Sequence, residues 1–256
     1  RVNWFFWMGD GWSSRGESMG IEDSEAFALN KNMIQQSAII LGPRSSGKTA
    51  IAFQEALTAS VHQNSHVIIC TVEERAKRQC PLSIPSIDLS NNQPVTLNNI
   101  HMKYFDPSQG SAPLLSYFSH FHLLQRQPHL IILDDLTLFC PTYEDKLRMA
   151  ALLQKVCVHA TVLHEWNKSP LDDSNAAPSD ACRVIITDSF NDVGEYPDLT
   201  AFPHLMNSLW QTKSLTPHSF EIKKINLASN TNSTQSSWTY NISKGTMALQ
   251  STTHVS

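Results

Sequence analysis

A glycine-rich loop between an apolar run and a helix-type segment constrains the fold of this chain more than any other feature. The apolar run covers residues 38–41, and the helix-type segment covers residues 50–57. The loop between them follows the pattern G-x-x-x-x-G-K-T and consists of Gly42, Pro43, Arg44, Ser45, Ser46, Gly47, Lys48 and Thr49. This order of strand, loop and helix favours a phosphate-binding loop over a chance match in a turn rich in glycine and serine.

The residue types in the loop suit the binding of ATP with Mg²⁺. Gly42 and Gly47 let the backbone curl, so that successive N–H groups point at one anion. The start of the following helix adds partial positive charge at the same place. We expect Lys48 to reach the β- and γ-phosphates and the Thr49 hydroxyl to be a ligand of Mg²⁺.

A second segment has the form of a strand that delivers acid to the same site. Four consecutive aliphatic residues, 130–133, are followed by Asp134 and Asp135. Nucleotides bind at the carboxyl ends of parallel strands, which is where these acids are predicted to lie. We expect Asp134 to hold the Mg²⁺, directly or through water. Asp135 has two interpretations: it polarises a water molecule, or it caps the following turn.

The remaining strand signals predict an α/β fold with a mostly parallel sheet. Short apolar runs at 66–70, 100–105 and 183–187 alternate with helix-type segments, which favours parallel strands and crossover helices. Thr187 and Asp188 end one of these runs, either as a sensor of the γ-phosphate or as a simple strand end. Alternating residues at 219–225 and 237–242 predict antiparallel strands added to one edge.

Composition excludes some classes of protein and gives no support to others. The 256 residues carry a formal net charge of −4, so the total charge predicts no binding to nucleic acid, and any such contact needs a local patch or a partner. No apolar run approaches the roughly 18 residues of a membrane-spanning helix. The five cysteines are widely spaced without a C-x-x-C pair, which favours reduced thiols in an intracellular protein.

The interior of the loop, Pro43-Arg44-Ser45-Ser46, resembles the RecA recombinase version, Gly-Pro-x-Ser-Ser-Gly-Lys-Thr. The order of the acid-ending strand, a helix and a strand ending near Thr187 is similar to that of the RecA-like ATPase core. The chain looks most like the small recombinase paralogue that associates with the SWIM-type zinc-finger protein of the metazoan Shu complex. The resemblance implies a RecA-like P-loop NTPase core over residues 31–243. We expect residues 1–30 to be a disordered or spurious segment and 244–256 to be a disordered tail.

The resemblance also implies a role and partners. Such paralogues support homologous recombination and DNA repair in the nucleus by binding single-stranded DNA and stabilising recombinase filaments. The expected partners are the SWIM-type zinc-finger protein, the recombinase with its paralogues, and single-stranded DNA. RecA-type ATPases place a catalytic Glu after the second strand, which corresponds to Glu73, or to Glu74 after a one-residue slip. Because the aromatic and basic sequence that normally follows this Glu is absent, we expect weak ATPase activity.

Three alternatives stay open at this point. Glu73 is also explained as a solvated charge in a mixed run with Arg75, Lys77 and Arg78. That run and Lys223, Lys224 and Lys244 are either small phosphate contacts or solvated surface. The chain as a whole is alternatively an interaction scaffold with a vestigial nucleotide site. A small-molecule kinase is less consistent with the sequence, because the loop at 79–99 lacks the arginines of a phosphate-covering lid.

Overall fold

The computed structural model describes residues 37–63, 65–78, 96–124, 126–166, 181–189, 206, 208–226, 234–243 and 246–254. The predicted N-terminal segment 1–30 and most of the polar loop at 79–99 lie outside these ranges. The strands are β1 (Ala38–Gly42), β2 (Val67–Thr71), β3 (Ile100–Tyr104), β4 (Leu130–Leu133), β5 (Arg183–Ser189), β6 (Ser208–Thr216), β7 (Ser219–Asn226), β8 (Thr234–Ser243) and β9 (Thr246–His254). The helices are α1 (Lys48–Gln63), α2 (Glu73–Arg78), α3 (Ala112–Ser119), α4 (Leu136–Phe139) and α5 (Tyr143–Trp166).

The nine strands of the described residues belong to one sheet, in the order β3-β2-β4-β5-β1-β6-β7-β8-β9. The strands from β3 to β6 in this order are parallel, and β6 to β9 are antiparallel. The strand β5 lies between the strand that leads into the glycine-rich loop and the strand that leads into the two acids. This topology confirms the predicted α/β fold class, with a mostly parallel sheet and antiparallel strands at one edge.

The central strands are buried on both faces, so their alternating side chains build two separate cores. On one face, Ile39, Ile68 and Ile131 pack in a cluster with Leu114 and Phe118 of α3, Leu153 of α5 and further apolar side chains. On the other face, Ile40, Ile69 and Ile132 pack in a cluster with Ala52, Ala56 and Ala59 of α1. The small alanines let α1 approach the sheet closely. Helices therefore cover both faces, as the continuous apolar runs of the strands predicted.

The antiparallel strands are an extension of the sheet rather than a separate unit. The predicted pairing of 219–225 with 237–242 is confirmed, with Phe220 opposite Tyr240 and Ile222 opposite Trp238. These four side chains are buried in the same core as the α1 face. The extension therefore shares its hydrophobic core with the parallel part of the sheet.

The C-terminal segment differs from the sequence-based expectation. The sequence predicted a disordered tail over 244–256, but Thr246–His254 forms β9 and pairs with β8 along its length. The segment is rich in threonine and serine and has no strong apolar alternation, which made it look like a tail. Hydrogen bonding of its backbone to an exposed sheet edge supplies a partner that the sequence pattern does not reveal.

Two further expectations concern helices and thiols. Within the described part of the chain, none of the helices has the length and apolar character needed to cross a bilayer. The four cysteines that the structure describes, Cys70, Cys140, Cys157 and Cys182, are buried free thiols.

Candidate nucleotide site

The backbone of the glycine-rich loop limits which residue types fit at several of its positions. Ser45 and Gly47 have positive φ angles of 62° and 78°. Gly42 is required for a different reason: a Cβ atom at this position would lie 1.6 Å from Oγ1 of Thr212, on the neighbouring strand β6. The first glycine of the motif therefore makes room for a neighbouring strand to pack against the loop.

The antiparallel extension holds the loop in place by neutral hydrogen bonds. Thr212 donates to the carbonyl oxygen of Leu41 at 3.2 Å, and its Oγ1 lies 2.9 Å from Oγ of Ser46. Tyr240, on β8, donates its phenolic hydroxyl to the carbonyl oxygen of Ser46 at 2.6 Å. Burial raises the pKa of Tyr240, so this hydroxyl stays a donor at neutral pH. Sequence analysis missed Thr212 and Tyr240, because only the fold brings them to the loop.

Lys48 folds back onto the loop that precedes it. Its side chain is only 5% exposed, and Nζ donates to the carbonyl oxygens of Gly42 at 3.0 Å and Pro43 at 2.5 Å. Burial lowers the pKa of Lys48 to about 8, and among the nearby charges Asp135 and Asp134 raise it while Arg75 lowers it. An anion in the loop would oppose this desolvation, because it favours the charged ammonium form.

The register of the parallel strands places polar residues side by side at the carboxyl edge. Cys70 of β2 pairs with Leu133 of β4, and Leu133 pairs with Ile186 of β5. The next residue on each strand therefore comes to the same row of the edge. These next residues are Thr71, Asp134 and Thr187.

Asp134 is the centre of the resulting hydrogen-bond network. Its carboxylate is 1% exposed. Oδ1 accepts from the hydroxyls of Thr49 and Thr187, each at 2.8 Å, and Oδ2 accepts from the hydroxyl of Thr71 at 3.2 Å. Three donors satisfy most of the hydrogen-bonding capacity of a buried carboxylate, which would otherwise be costly to remove from water.

The two predicted metal ligands are thus in contact with each other. Oγ1 of Thr49 and Oδ1 of Asp134 are 2.8 Å apart, and the charge of Asp134 also acts on Lys48, whose pKa it raises. A hydroxyl and a carboxylate are hard oxygen ligands, which Mg²⁺ prefers. The residues present therefore fit the cation that the sequence predicted.

Asp135 has an unusual environment for a carboxylate. Its backbone is left-handed, with φ of 61°, and its N–H donates to Oγ1 of Thr187 at 2.8 Å. The side chain is buried; Oδ2 accepts from the guanidinium group of Arg75, whereas Oδ1 has no hydrogen-bond partner among the described residues. The side chain makes no capping bond to α4. The side chain of Asp135 therefore does not cap the following turn, which was one of its two interpretations. The other, that it polarises a water molecule, stays a prediction.

Arg75 enters the site although its sequence context indicated a solvated charge. Besides its contact with Asp135, its Nε lies 3.9 Å from Oδ2 of Asp134. Its side chain is 24% exposed, compared with 66% for Lys77, two residues further along α2. The helical turn that begins right after β2 directs one residue of this charged run inward, and the position of that turn is not readable from the composition of the run.

Glu73, the predicted catalytic residue, lies outside this network. Its exposed side chain forms an ion pair with Lys77 at 2.7 Å on the same helix, and Glu74 is exposed as well. The catalytic role of Glu73 stays a prediction, without a contact to the loop that supports it. Lys48, the other residue predicted to act in catalysis, lies in the loop as expected.

Thr187 and Asp188 separate into two environments. Thr187 belongs to the site, where it joins Asp134 to the backbone of Asp135. Asp188 instead forms an ion pair with Lys146 at 2.5 Å and accepts hydrogen bonds from Thr137. Thr187 is therefore the member of the pair that lies where a nucleotide-dependent contact is expected, and Asp188 joins α4 and α5 to β5.

Comparison with solved structures finds a KaiC-like protein from the hyperthermophilic archaeon Pyrococcus horikoshii, with a TM-score of 0.49 and 10% sequence identity. The match covers 84% of this chain and 89% of that one. No family model matches the chain, and no match is found among curated proteins. A likeness at this level carries no conclusion about activity.

Proposed function

We propose that this chain binds ATP with Mg²⁺ and hydrolyses it slowly. The observation that carries the proposal is the contact between Thr49 and Asp134, with 2.8 Å between Oγ1 and Oδ1, in a chain that buries the neighbouring Lys48. One segment of the loop and one of the acid strand, 85 residues apart in sequence, meet in the arrangement that a phosphate-bound cation requires.

Each residue of the site has a defined task in this proposal. The curled backbone of the loop and the start of α1 would receive the phosphates. Lys48 would turn from the carbonyl oxygens of Gly42 and Pro43 toward the phosphates. Thr49 and Asp134 would hold the Mg²⁺, which when bound neutralises charge that builds up on the phosphates. Thr71 and Thr187 would keep the carboxylate of Asp134 in its orientation.

Slow hydrolysis follows from what surrounds the site. Rapid turnover needs a residue that positions the attacking water. Glu73, the acid expected in that role, has an exposed side chain that pairs with Lys77 on the same helix, α2. It is therefore not placed as a base for such a water molecule.

The cellular role in this proposal rests on the resemblance of the loop to recombinase paralogues. The chain would act in the nucleus as a subunit of a complex that supports homologous recombination, with a SWIM-type zinc-finger protein and the recombinase as partners. Two of the lysines considered for contact with DNA have partners within the chain: Lys223 pairs with Glu221, and Nζ of Lys224 lies 5.4 Å from the ring centre of Trp210. DNA contact would therefore depend on the assembled complex.

The test of nucleotide binding is an equilibrium titration with a fluorescent ATP analogue and Mg²⁺. Lys48→Ala should weaken binding by about tenfold or more, because it removes the charge-assisted contact to the phosphates. Lys213→Ala is the matched control, since Lys213 is an exposed lysine on β6. Equal affinity of the Lys48→Ala variant and the wild type would exclude this loop as the nucleotide site.

A second candidate function, an interaction scaffold with a vestigial site, is favoured by the ion pair between Arg75 and Asp135. In that case the charges of the site would serve folding alone. Co-purification from cells separates the two candidates. The scaffold predicts that Lys48→Ala retains all partners and repair activity, whereas the ATP-dependent subunit predicts that it loses one or both.

A further inference from the structure

We propose that Arg75 prevents free metal ions from binding to the carboxylates of Asp134 and Asp135. In this proposal Arg75 leaves these carboxylates only when a metal binds together with a nucleotide. This inference rests on the proposed nucleotide site and assigns to that site a control over the order of binding. The residues concerned are Arg75, Asp134, Asp135 and Lys48.

The contacts of Arg75 place its charge where a cation would otherwise bind. Its guanidinium group bonds to Oδ2 of Asp135, and its Nε lies 3.9 Å from Oδ2 of Asp134. Both carboxylates are almost completely buried, with side chains 1% and 7% exposed. An unpaired carboxylate at this depth would be strongly destabilising, and Arg75 supplies the positive charge that pairs with it.

The charges of the site balance without a metal. Lys48 and Arg75 contribute two positive charges, and Asp134 and Asp135 contribute two negative ones. Asp188, the next acid along this edge, is already paired with Lys146. A divalent cation without a nucleotide is therefore not attracted by a net negative charge. The guanidinium group of Arg75 also lies close to the carboxylates that would bind this cation.

A nucleotide changes this balance. Lys48 and Arg75 would turn toward its phosphates, and the two carboxylates would then be left to hold the metal. Arg75 has room for such an exchange, because its side chain is one-quarter exposed and lies on a short helix, α2, at the edge of the site. Asp135 would then offer its carboxylate as a hard oxygen ligand; its Oδ1 has no hydrogen-bond partner among the described residues.

The experiment measures binding of Mn²⁺, as a paramagnetic probe for Mg²⁺, to the full chain by electron paramagnetic resonance without nucleotide. Arg75→Gln should bind Mn²⁺ about tenfold or more tightly than the wild type, because two carboxylates then face only Lys48. Arg75→Lys keeps the charge and should stay close to the wild type. The matched control is Lys77→Gln, which removes a positive charge from the exposed side of the same helix and should leave Mn²⁺ binding unchanged.

A second measurement uses the wild type alone and does not depend on the stability of a variant. Mn²⁺ should bind about tenfold or more tightly in the presence of a non-hydrolysable ATP analogue than in its absence. The inference is overturned if the wild type binds Mn²⁺ equally well with and without the analogue. It is also overturned if folded Arg75→Gln, verified by thermal unfolding, shows no gain in Mn²⁺ binding over the wild type.

The same data separate this inference from the proposed function. One outcome is that the wild type fails to bind the analogue while Arg75→Gln still gains Mn²⁺ binding. The proposed nucleotide binding and the proposed order of binding are then both rejected, although Arg75 is shown to keep Mn²⁺ from the two carboxylates. If the analogue binds and Arg75→Gln shows no gain, the nucleotide proposal stands and the role of Arg75 is rejected.

Discussion

The two halves of the candidate site are stabilised in different ways. The phosphate loop is held by neutral hydroxyls from the antiparallel extension, Thr212 and Tyr240, which are more than 160 residues away from Ser46 in sequence. The acidic half is held by an ion pair with Arg75, from the helix that follows β2. Neutral hydrogen bonds to a packed strand fix one geometry, whereas an ion pair at a partly exposed edge is exchangeable. The difference indicates that the phosphate loop is held rigidly, whereas access of a metal ion to the acidic half depends on the ion pair with Arg75.

The strongest test of the rigid half is Gly42→Ala. The added Cβ would overlap Oγ1 of Thr212, so the loop or β6 must move. We expect a loss of about 3 kcal/mol in the free energy of unfolding and no measurable nucleotide binding. The measurements are chemical denaturation and the fluorescent-nucleotide titration. Gly110→Ala is the control, because a Cβ there meets open space and only its positive φ is strained. Normal nucleotide binding by Gly42→Ala would show that the loop is not held against β6.

Thr187→Val tests whether the acidic half depends on neutral bonds as well. The substitution removes a donor to Asp134 and the acceptor for the N–H of Asp135. We expect a loss of about 2 kcal/mol in stability and a weaker Mg²⁺ dependence of nucleotide binding.

The control for this variant is Thr161→Val. Thr161, like Thr187, donates one hydrogen bond and accepts one from an N–H. Its donor bond goes to the backbone carbonyl of Cys157 rather than to a carboxylate, and its acceptor bond joins α5 to Cys182. The control should lose stability and keep its Mg²⁺ response. If both variants keep that response, Thr187 has only a structural role.

The pH dependence of nucleotide binding tests the charge of Lys48. Burial lowers its pKa to about 8, so the ammonium form is complete well below pH 8 and is lost as the pH rises through that value. An anionic ligand binds the ammonium form better, so affinity should fall by about fivefold between pH 7 and pH 9. Lys48→Arg, which keeps its charge over this range, should show a flat profile. A flat profile for the wild type would exclude a titrating Lys48 from the phosphate contact.

The smallest expected effect belongs to Tyr240→Phe. Loss of the phenolic hydroxyl leaves the carbonyl oxygen of Ser46 without this donor, which should cost about 1 kcal/mol of stability and weaken nucleotide binding a few-fold. Tyr117→Phe is the matched control, since its hydroxyl is buried without a partner among the described residues. Equal behaviour of the two variants would mean that β8 does not support the loop.

The sequence predicted the site better where a local pattern determines it than where the fold determines it. The loop, its helix and Asp134 were located from a strand–loop–helix order and an apolar run ending in acid, both of which are contiguous. Thr212 and Tyr240 were not located, because they reach the loop only through β6 and β8. Arg75 was interpreted as solvated, because the helical phase that turns it inward depends on where β2 ends. The strand β9 was missed for a related reason: its stability comes from a neighbouring edge.

The bond from Tyr240 to Ser46 has a consequence for how the protein is made. During synthesis the loop leaves the ribosome almost 200 residues before the tyrosine that holds its backbone, and long-range contacts form slowly. A nascent chain that already contains the whole glycine-rich loop therefore lacks the hydrogen bond from Tyr240 that holds the loop in place. Nucleotide affinity should therefore increase by at least a few-fold once β8 has been released, and a series of arrested chains of increasing length would show this increase at the length that exposes Tyr240.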